Sequence, residues 1–359
     1  MIRSPEIFKP EERAAFALRS LYRSYGYSQF RMNKFEEYDF YVRNKSFLVS
    51  DNIITFTDTN GKLMALKPDV TLSIVRNAKD GEHGTRKVYY HENVYRPARG
   101  SRTFREIPQV GLECIGEVDD YAVAEVLSLA VQSLSEIAPR GMLNVSHLGI
   151  LSELICRAGY PEETHRELFR LIGEKNLGEL QQLTSGLGIA PEPAEKLFAL
   201  LSGSGEVAPT LNLLGGFYSD GAWQSAVAGL RRVVTLLPAG SVRLDFSVVG
   251  DRNYYNGIVF HGYAEGIPDR VLSGGQYDKL MQKLGKTSGA IGFAVYLDQI
   301  ERLTPAAGDY EVDTVVLYGA DADLSAVCET VNRLVASGRR AAAVRELPKT
   351  LVWRNLIRL

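Results

Sequence analysis

Two runs of residues constrain this chain more than any other feature. "KVYYHENVYRP" (Lys87–Pro97) and "FREIPQVGLECIG" (Phe104–Gly116) are rich in aromatic and β-branched residues. They flank a polar, arginine-rich tip, "ARGSRT". Runs of that composition pair as antiparallel strands. The pattern predicts a long hairpin with a mobile loop at its tip, and an antiparallel sheet around it.

The flanking segments fill in the rest. "PEERAAFALRSLYRSYGY" places proline and acids at a helix start and Gly26 at its stop, which predicts an amphipathic helix. "SQFRMNKFEEYDFYV" reads as a strand leading into a loop. "IITFTDTNGKLMALKP" reads as a hairpin turning on Asn60-Gly61, a type I′ pair. "VTLSIVRNA" and "DDYAVAEVLSLAVQSLSEIA" read as helices, and "MLNVSHLGIL" as a strand entering a helix. From about 151 to 229 the chain is rich in Leu, Glu and Lys and poor in strand signals, so a helical insertion is expected there. Strand signals return at "SVRLDFSVVG", "YYNGIVFHGYAE" and "DRVLSGGQYDKL". "TSGAIGFAVYLDQIERL" reads as a small-residue strand or turn running into a helix. The tail reads as strand, helix, strand, a βαβ unit with parallel strands. The fold class is therefore α+β, an antiparallel sheet with flanking helices. One domain is expected over 1–305, with the insertion inside it, and a small α/β domain over 311–359.

Composition removes several classes of function. A formal net charge of −2 shows no basic excess, so no dedicated nucleic-acid surface is expected. Cys114, Cys156 and Cys328 are far apart with no CxxC pair. Reduced, buried thiols are expected, and no zinc site or other metal. The five histidines show no metal-like spacing. "MIRSPEIFKPEE" has no apolar core of a leader and no run is long enough to span a bilayer. A cytoplasmic protein without a cofactor is expected.

Five stretches carry polar residues suited to holding a small ligand on rigid strands. They are "LKPDVT", "YRPARGSRTFREIPQVGLE", "RNYYNGIVF", "LSGGQYD" and "GAIGFAVYLDQIERL". Two carboxylates attract an ammonium, a tyrosine stacks on or bonds to an imidazole, and glycines let a ligand approach backbone. Each has a plainer reading. Asp69 reads also as a helix cap, Gly274-Gly275 as a bulge, and Tyr254 and His261 as packing residues.

Together the five stretches resemble the class II aminoacyl-tRNA synthetase core, specifically that of the histidyl-tRNA synthetases, over about three quarters of the chain. The tail resembles a truncated anticodon-binding domain. The resemblance implies a histidine-binding set of Asp69, Thr71, Gln109, Glu113, Tyr255, Gly274, Gly275 and Tyr277. It also marks departures on the reaction side. The family's "RGLDYYTG" arginine aligns with Gly250, and Arg252 stands two residues on, a step of roughly 7 Å along a strand. Gln299 stands at the arginine position of the third motif. Arg96 is retained, but Ala98 replaces an acidic residue.

Losing one preorganised donor costs about 2.7–4 kcal/mol of transition-state stabilisation. Histidine binding needs none of these groups. An amino-acid pocket beside a dismantled ATP site resembles the regulatory subunits of ATP phosphoribosyltransferase. No catalytic residues are then implied. What is implied is a short-form catalytic subunit as partner, histidine as effector, and a homodimer within a hetero-oligomer. Arg96, Arg99, Arg102, Arg105 and Arg252 become vestigial or effector-loop residues. The alternative is a histidyl-tRNA synthetase or another histidine-activating enzyme. The tail departs from the regulatory pattern, in which an anticodon-binding domain is commonly absent.

Overall fold

Helix α1 (Pro10–Ser24) carries Glu11 and Glu12 in its first turn, where they offset the partial positive charge of the helix N-terminus. Ala14, Ala15, Leu18 and Tyr22 form its buried face. In this computed structural model all residues are described except 1–7, 45–52, 79–83, 98–102, 190, 204, 251–253, 302–309 and 349.

The segment expected as a strand leading into a loop is split into β1 (Ser28–Gln29), β2 (Phe35–Glu37) and helix α2 (Tyr38–Arg43). Tyr41 supplies the reason. A helical turn buries it completely while its hydroxyl donates to Glu36 Oε2 (3.2 Å). Strands β3 (Thr55–Thr57) and β4 (Leu63–Leu66) form the expected hairpin, with β2 on the other side of β4. Its turn is not type I′, which needs positive φ at both central residues. Here only Gly61 has it, and Asp58 closes the loop instead, its Oδ1 accepting from the N–H groups of Asn60 and Lys62 (both 2.8 Å).

Helix α3 (Thr71–Asn77) follows, then the long hairpin of β5 (Arg86–Pro97) and β6 (Phe104–Gly116), paired from Arg86↔Ile115 to Pro97↔Phe104. Helix α4 (Asp120–Ile137) is capped by Asp119, whose Oδ1 accepts from Ala122 N (2.8 Å). Next come β7 (Gly141–His147) and the helices α5 (Leu148–Arg157), α6 (Glu162–Gly173), α7 (Leu177–Gly186), α8 (Pro191–Ser202), α9 (Val207–Gly215) and α10 (Gly221–Val234). The unit finishes with β8 (Val242–Leu244), β9 (Ile258–Ala264), β10 (Leu272–Gln276), α11 (Asp278–Lys283), β11 (Gly289–Tyr296) and α12 (Leu297–Ile300).

Eight of these strands form one sheet in the order β1-β5-β6-β11-β10-β9-β7-β8. It is antiparallel through its centre and mixed at its edges, where β1 runs parallel to β5 and β8 parallel to β7. A parallel pair needs a long crossover. The helical block α5–α10 is the crossover between β7 and β8. "SVRLDFSVVG" contributes only three strand residues, because Asp245 turns the chain by accepting from Ser247 N (3.0 Å).

The chain divides into two compact units, Glu11–Arg302 and one that comprises Leu303–Leu359. The second holds β12 (Val312–Leu317), α13 (Leu324–Ala336), β13 (Ala341–Val344) and β14 (Trp353–Arg358). The expected βαβ unit is there, and β14 adds a third parallel strand on the other side of β12. Arg354, Asn355 and Arg358 interrupt the apolar pattern of that last strand and hide it from the sequence. Of the three cysteines only Cys114 is buried; Cys156 and Cys328 are exposed. Among the described residues no helix is long and apolar enough to cross a membrane.

Candidate functional site

Opposed residues of antiparallel strands share one face of a sheet. Val88, Glu113, Gly292, Gly275 and Val259 therefore stand in a row across β5, β6, β11, β10 and β9. The next row is Tyr90, Gly111, Ala294, Ser273 and His261, and a third begins Glu92, Gln109 and Tyr296. Small residues fill the middle of the first two rows and large ones stand at their sides, so the sheet face is hollowed into a trough. Gly292 is obligatory. A Cβ there would lie 1.7 Å from Glu113 Oε2 and 2.5 Å from Leu112 O. The trough is the floor of a cavity of about 410 Å³. Asp69, Thr71 and Arg96 close one side of it, and Ser247, Val249, Gly250, Tyr254 and Tyr255 contribute further wall.

Glu113 is the centre of the first end. It is only 2% exposed. Its Oε1 accepts from Thr71 Oγ1 and its Oε2 from the Tyr277 hydroxyl, each at 2.6 Å. Burial pushes its pKa up to about 8; the two hydroxyls oppose this and the nearby Asp69 charge adds to it. Burial disfavours the charged form of such a carboxyl, and a cation settling beside it favours that form. Asp69 is buried too, and burial raises its pKa. Arg96, at 3.3 Å, and the backbone N–H of Leu72, at 2.9 Å, pull it back. Arg96 is fixed in turn by donating from Nε to Pro68 O (2.6 Å). Tyrosines wall this end, with the Tyr254 ring 4.7 Å from that of Tyr255 and 5.7 Å from that of Tyr277. Burial raises the pKa of all three phenols, so they remain neutral.

The second end is different. Ser273 Oγ and the Tyr296 hydroxyl are hydrogen-bonded at 2.6 Å. Arg270 Nη1 lies 3.2 Å from His261 Nε2. A guanidinium can only donate, so His261 accepts there and is neutral. Burial, reinforced by the Arg270 charge, pushes the His261 pKa down to about 3.

The cavity brings together Asp69, Thr71, Arg96, Gln109, Glu113, Tyr255, Gly274 and Tyr277. Gly275 is in the floor row, and β10 pairs without interruption through both glycines, so there is no bulge. The N-cap of α3 is Val70, not Asp69 as expected; Asp69, one residue ahead, still accepts from the Leu72 N–H of the first turn while lining the cavity. Tyr254, read as packing only, is both buried and part of the wall. Arg105 is exposed on β6 and lies outside the cavity lining. Arg99, Arg102 and Arg252 lie outside the described residues. Gln299 is on α12, where its Nε2 donates to Asp298 Oδ2 (3.0 Å), and it does not line the cavity. Gly250 lines it with a φ of 52°, a conformation that disfavours side chains.

Sequence reading missed Tyr90, Ser273, Tyr296 and Arg270, and placed His261 as structural. Two-residue alternation back from Arg96 reaches Tyr90, and forward from Gln109 reaches Glu113, so that signal was present. Arg270 left no such signal, because it lies in the connection ahead of β10, outside any strand alternation, and its partner is nine residues back on β9.

The protein-family model described as histidyl-tRNA synthetase matches residues 3–300. An ATP phosphoribosyltransferase regulatory subunit from Oceanobacillus iheyensis is 27% identical over 304 residues, 82% of this chain and 74% of that one. A histidine–tRNA ligase from Methanococcus maripaludis is 29% identical over 328 residues, 88% and 76% of the two chains. A solved ATP phosphoribosyl transferase (HisG:HisZ) complex from Thermotoga maritima contains a chain with the same fold. It has a TM-score of 0.62 at 20% identity, covering 80% of this chain and 97% of that one.

Proposed function

The chain belongs to the histidyl-tRNA synthetase family, and from that premise we propose that it is a non-catalytic regulatory subunit of ATP phosphoribosyltransferase that binds histidine. Its partner is a short-form catalytic subunit, which it activates, and histidine opposes the activation in the first step of histidine biosynthesis. It works as a homodimer within a hetero-oligomer in the cytoplasm. The amino acid occupies the cavity, with Asp69, Thr71, Gln109, Glu113, Tyr255, Gly274, Gly275 and Tyr277 as its binding set.

Gly250 carries this reading. It stands where the family resemblance places the arginine that stabilises charge on carboxylate and phosphate. Its left-handed φ of 52° and a Cβ position 3.0 Å from Tyr255 Cδ2 leave poor accommodation for any side chain. Adenylation rests on positioned positive charge, whereas amino-acid binding rests on the buried carboxylates and tyrosines that this cavity has. The relative named as a regulatory subunit and the solved complex that contains a similar chain support the partner.

The relative named as a ligase, at 29% identity, favours a second reading, a histidine-activating enzyme. Two assays separate them. Mixed with a short catalytic subunit, the purified chain raises phosphoribosyl transfer, and histidine lowers it by about 5- to 150-fold, the usual range of allosteric coupling. Pyrophosphate exchange with ATP and histidine stays at background. Exchange well above background overturns the regulatory reading and establishes the second one.

A further inference from the structure

We infer that Arg270, held by His261, is the residue that selects the anionic group of the cavity's ligand, an assignment that rests on the ligand being histidine. Glu113 on β6 and His261 on β9 are three strand spacings apart across the trough floor, roughly 14 Å. The cavity therefore has its buried carboxyls at one end, where Arg96 is already paired with Asp69, and Arg270 at the other. Of its two described arginines, Arg96 is committed to Asp69 and Pro68 O. Arg270 makes no ion pair among the described residues, and its one side-chain hydrogen bond goes to a neutral ring. A half-buried cation without a counter-ion is costly until an anion reaches it.

His261 contributes direction and no charge. By accepting one N–H of the guanidinium it orients the fork and leaves the other donors for a ligand. Ser273, hydrogen-bonded to Tyr296, stands directly opposite His261 in the same row. The complementary ligand has a cationic or hydrogen-bonding group for Glu113 and Asp69 and a carboxylate for Arg270. An amino acid with a basic side chain meets both demands.

Calorimetric titration of the full chain tests this with L-histidine and with L-histidinol, in which the carboxylate is reduced to an alcohol. The wild-type chain should bind histidine about 10- to 100-fold more tightly than histidinol, the scale of a hydrogen bond to a charged group. Arg270→Gln should remove that preference, weakening histidine by the same factor and leaving histidinol within about threefold. Arg270→Lys, which keeps the charge without the fork, should fall between. Equal wild-type affinities for the two compounds overturn the assignment without any variant. So does an equal loss of both compounds in Arg270→Gln, or an unchanged histidine affinity. If the wild type binds neither compound, the histidine reading itself fails, and this assignment with it.

Discussion

The two ends of the cavity solve opposite problems. At one end, Glu113 and Asp69 are buried carboxyls whose oxygens the chain already satisfies through Thr71, Tyr277, Arg96 and the Leu72 N–H. At the other, the one side-chain partner of Arg270 among the described residues is the neutral His261. The first end is held together by the chain's own donors, whereas the second, on our assignment, offers its remaining donors to the ligand's anion. Burial alone does not specify a binding group; the number of partners the fold supplies decides whether a buried charge is structural, receptive or both.

The strongest way to break the contrast is to disturb the crowded end. Gly292→Val places side-chain carbon where Glu113 now lies, at 1.7 Å from its Oε2. Overpacking of this kind costs about 3 kcal/mol. Histidine binding should vanish from calorimetry and the melting temperature should fall. Retained affinity would show that the Glu113 position is irrelevant to the ligand.

Glu113→Gln is gentler. It keeps the shape and removes the capacity for charge, so histidine affinity should drop about 10- to 100-fold in the same titration. Loss of less than threefold would move the cation site away from this end.

The same variant sharpens the contrast through pH. Glu113 has its pKa raised from 4.5 to about 8 in the folded chain. The folded state therefore holds a proton that the unfolded state has released. Its contribution to stability is fully present below about pH 4.5 and is lost as pH rises through 8. Urea unfolding should show wild-type stability falling relative to Glu113→Gln across that window, by at most about 1.4 kcal/mol per pH unit for one proton. Parallel curves for the two proteins would contradict this. The smallest effect is expected for Tyr255→Phe. The hydroxyl makes no hydrogen bond within the described residues, and the ring remains packed, tilted at 58°, against that of Tyr254. Histidine affinity should change less than threefold, and a larger loss would assign the hydroxyl a direct contact.

These two ends were unequally legible. The carboxylate end is written in local patterns: Asp69 ahead of a helix, and Gln109 and Glu113 in alternation on a strand that the aromatic runs predict. The long β5–β6 hairpin and the helical block were readable for the same reason, because each depends on neighbours in sequence. The parallel edge pairings and the third strand of the tail unit depend on strands that meet only after folding, and the Arg270–His261 contact depends on the conformation of the β9–β10 connection, which no alternation marks. The type I′ expectation at Asn60-Gly61 failed on a side chain, since Asp58 closes that loop with its own carboxylate.

The main sheet ends in two-residue β1 on one side and three-residue β8 on the other. Long open edges are where strands of other molecules add on and where aggregation begins. β1 covers only Val88 and Tyr89 of the twelve-residue β5, and β8 only Leu143–Val145 of β7, so the longer strands behind them carry the edge; on β5 the Tyr95 N–H is turned inward to Lys67 O (3.0 Å), which removes one donor from any incoming strand.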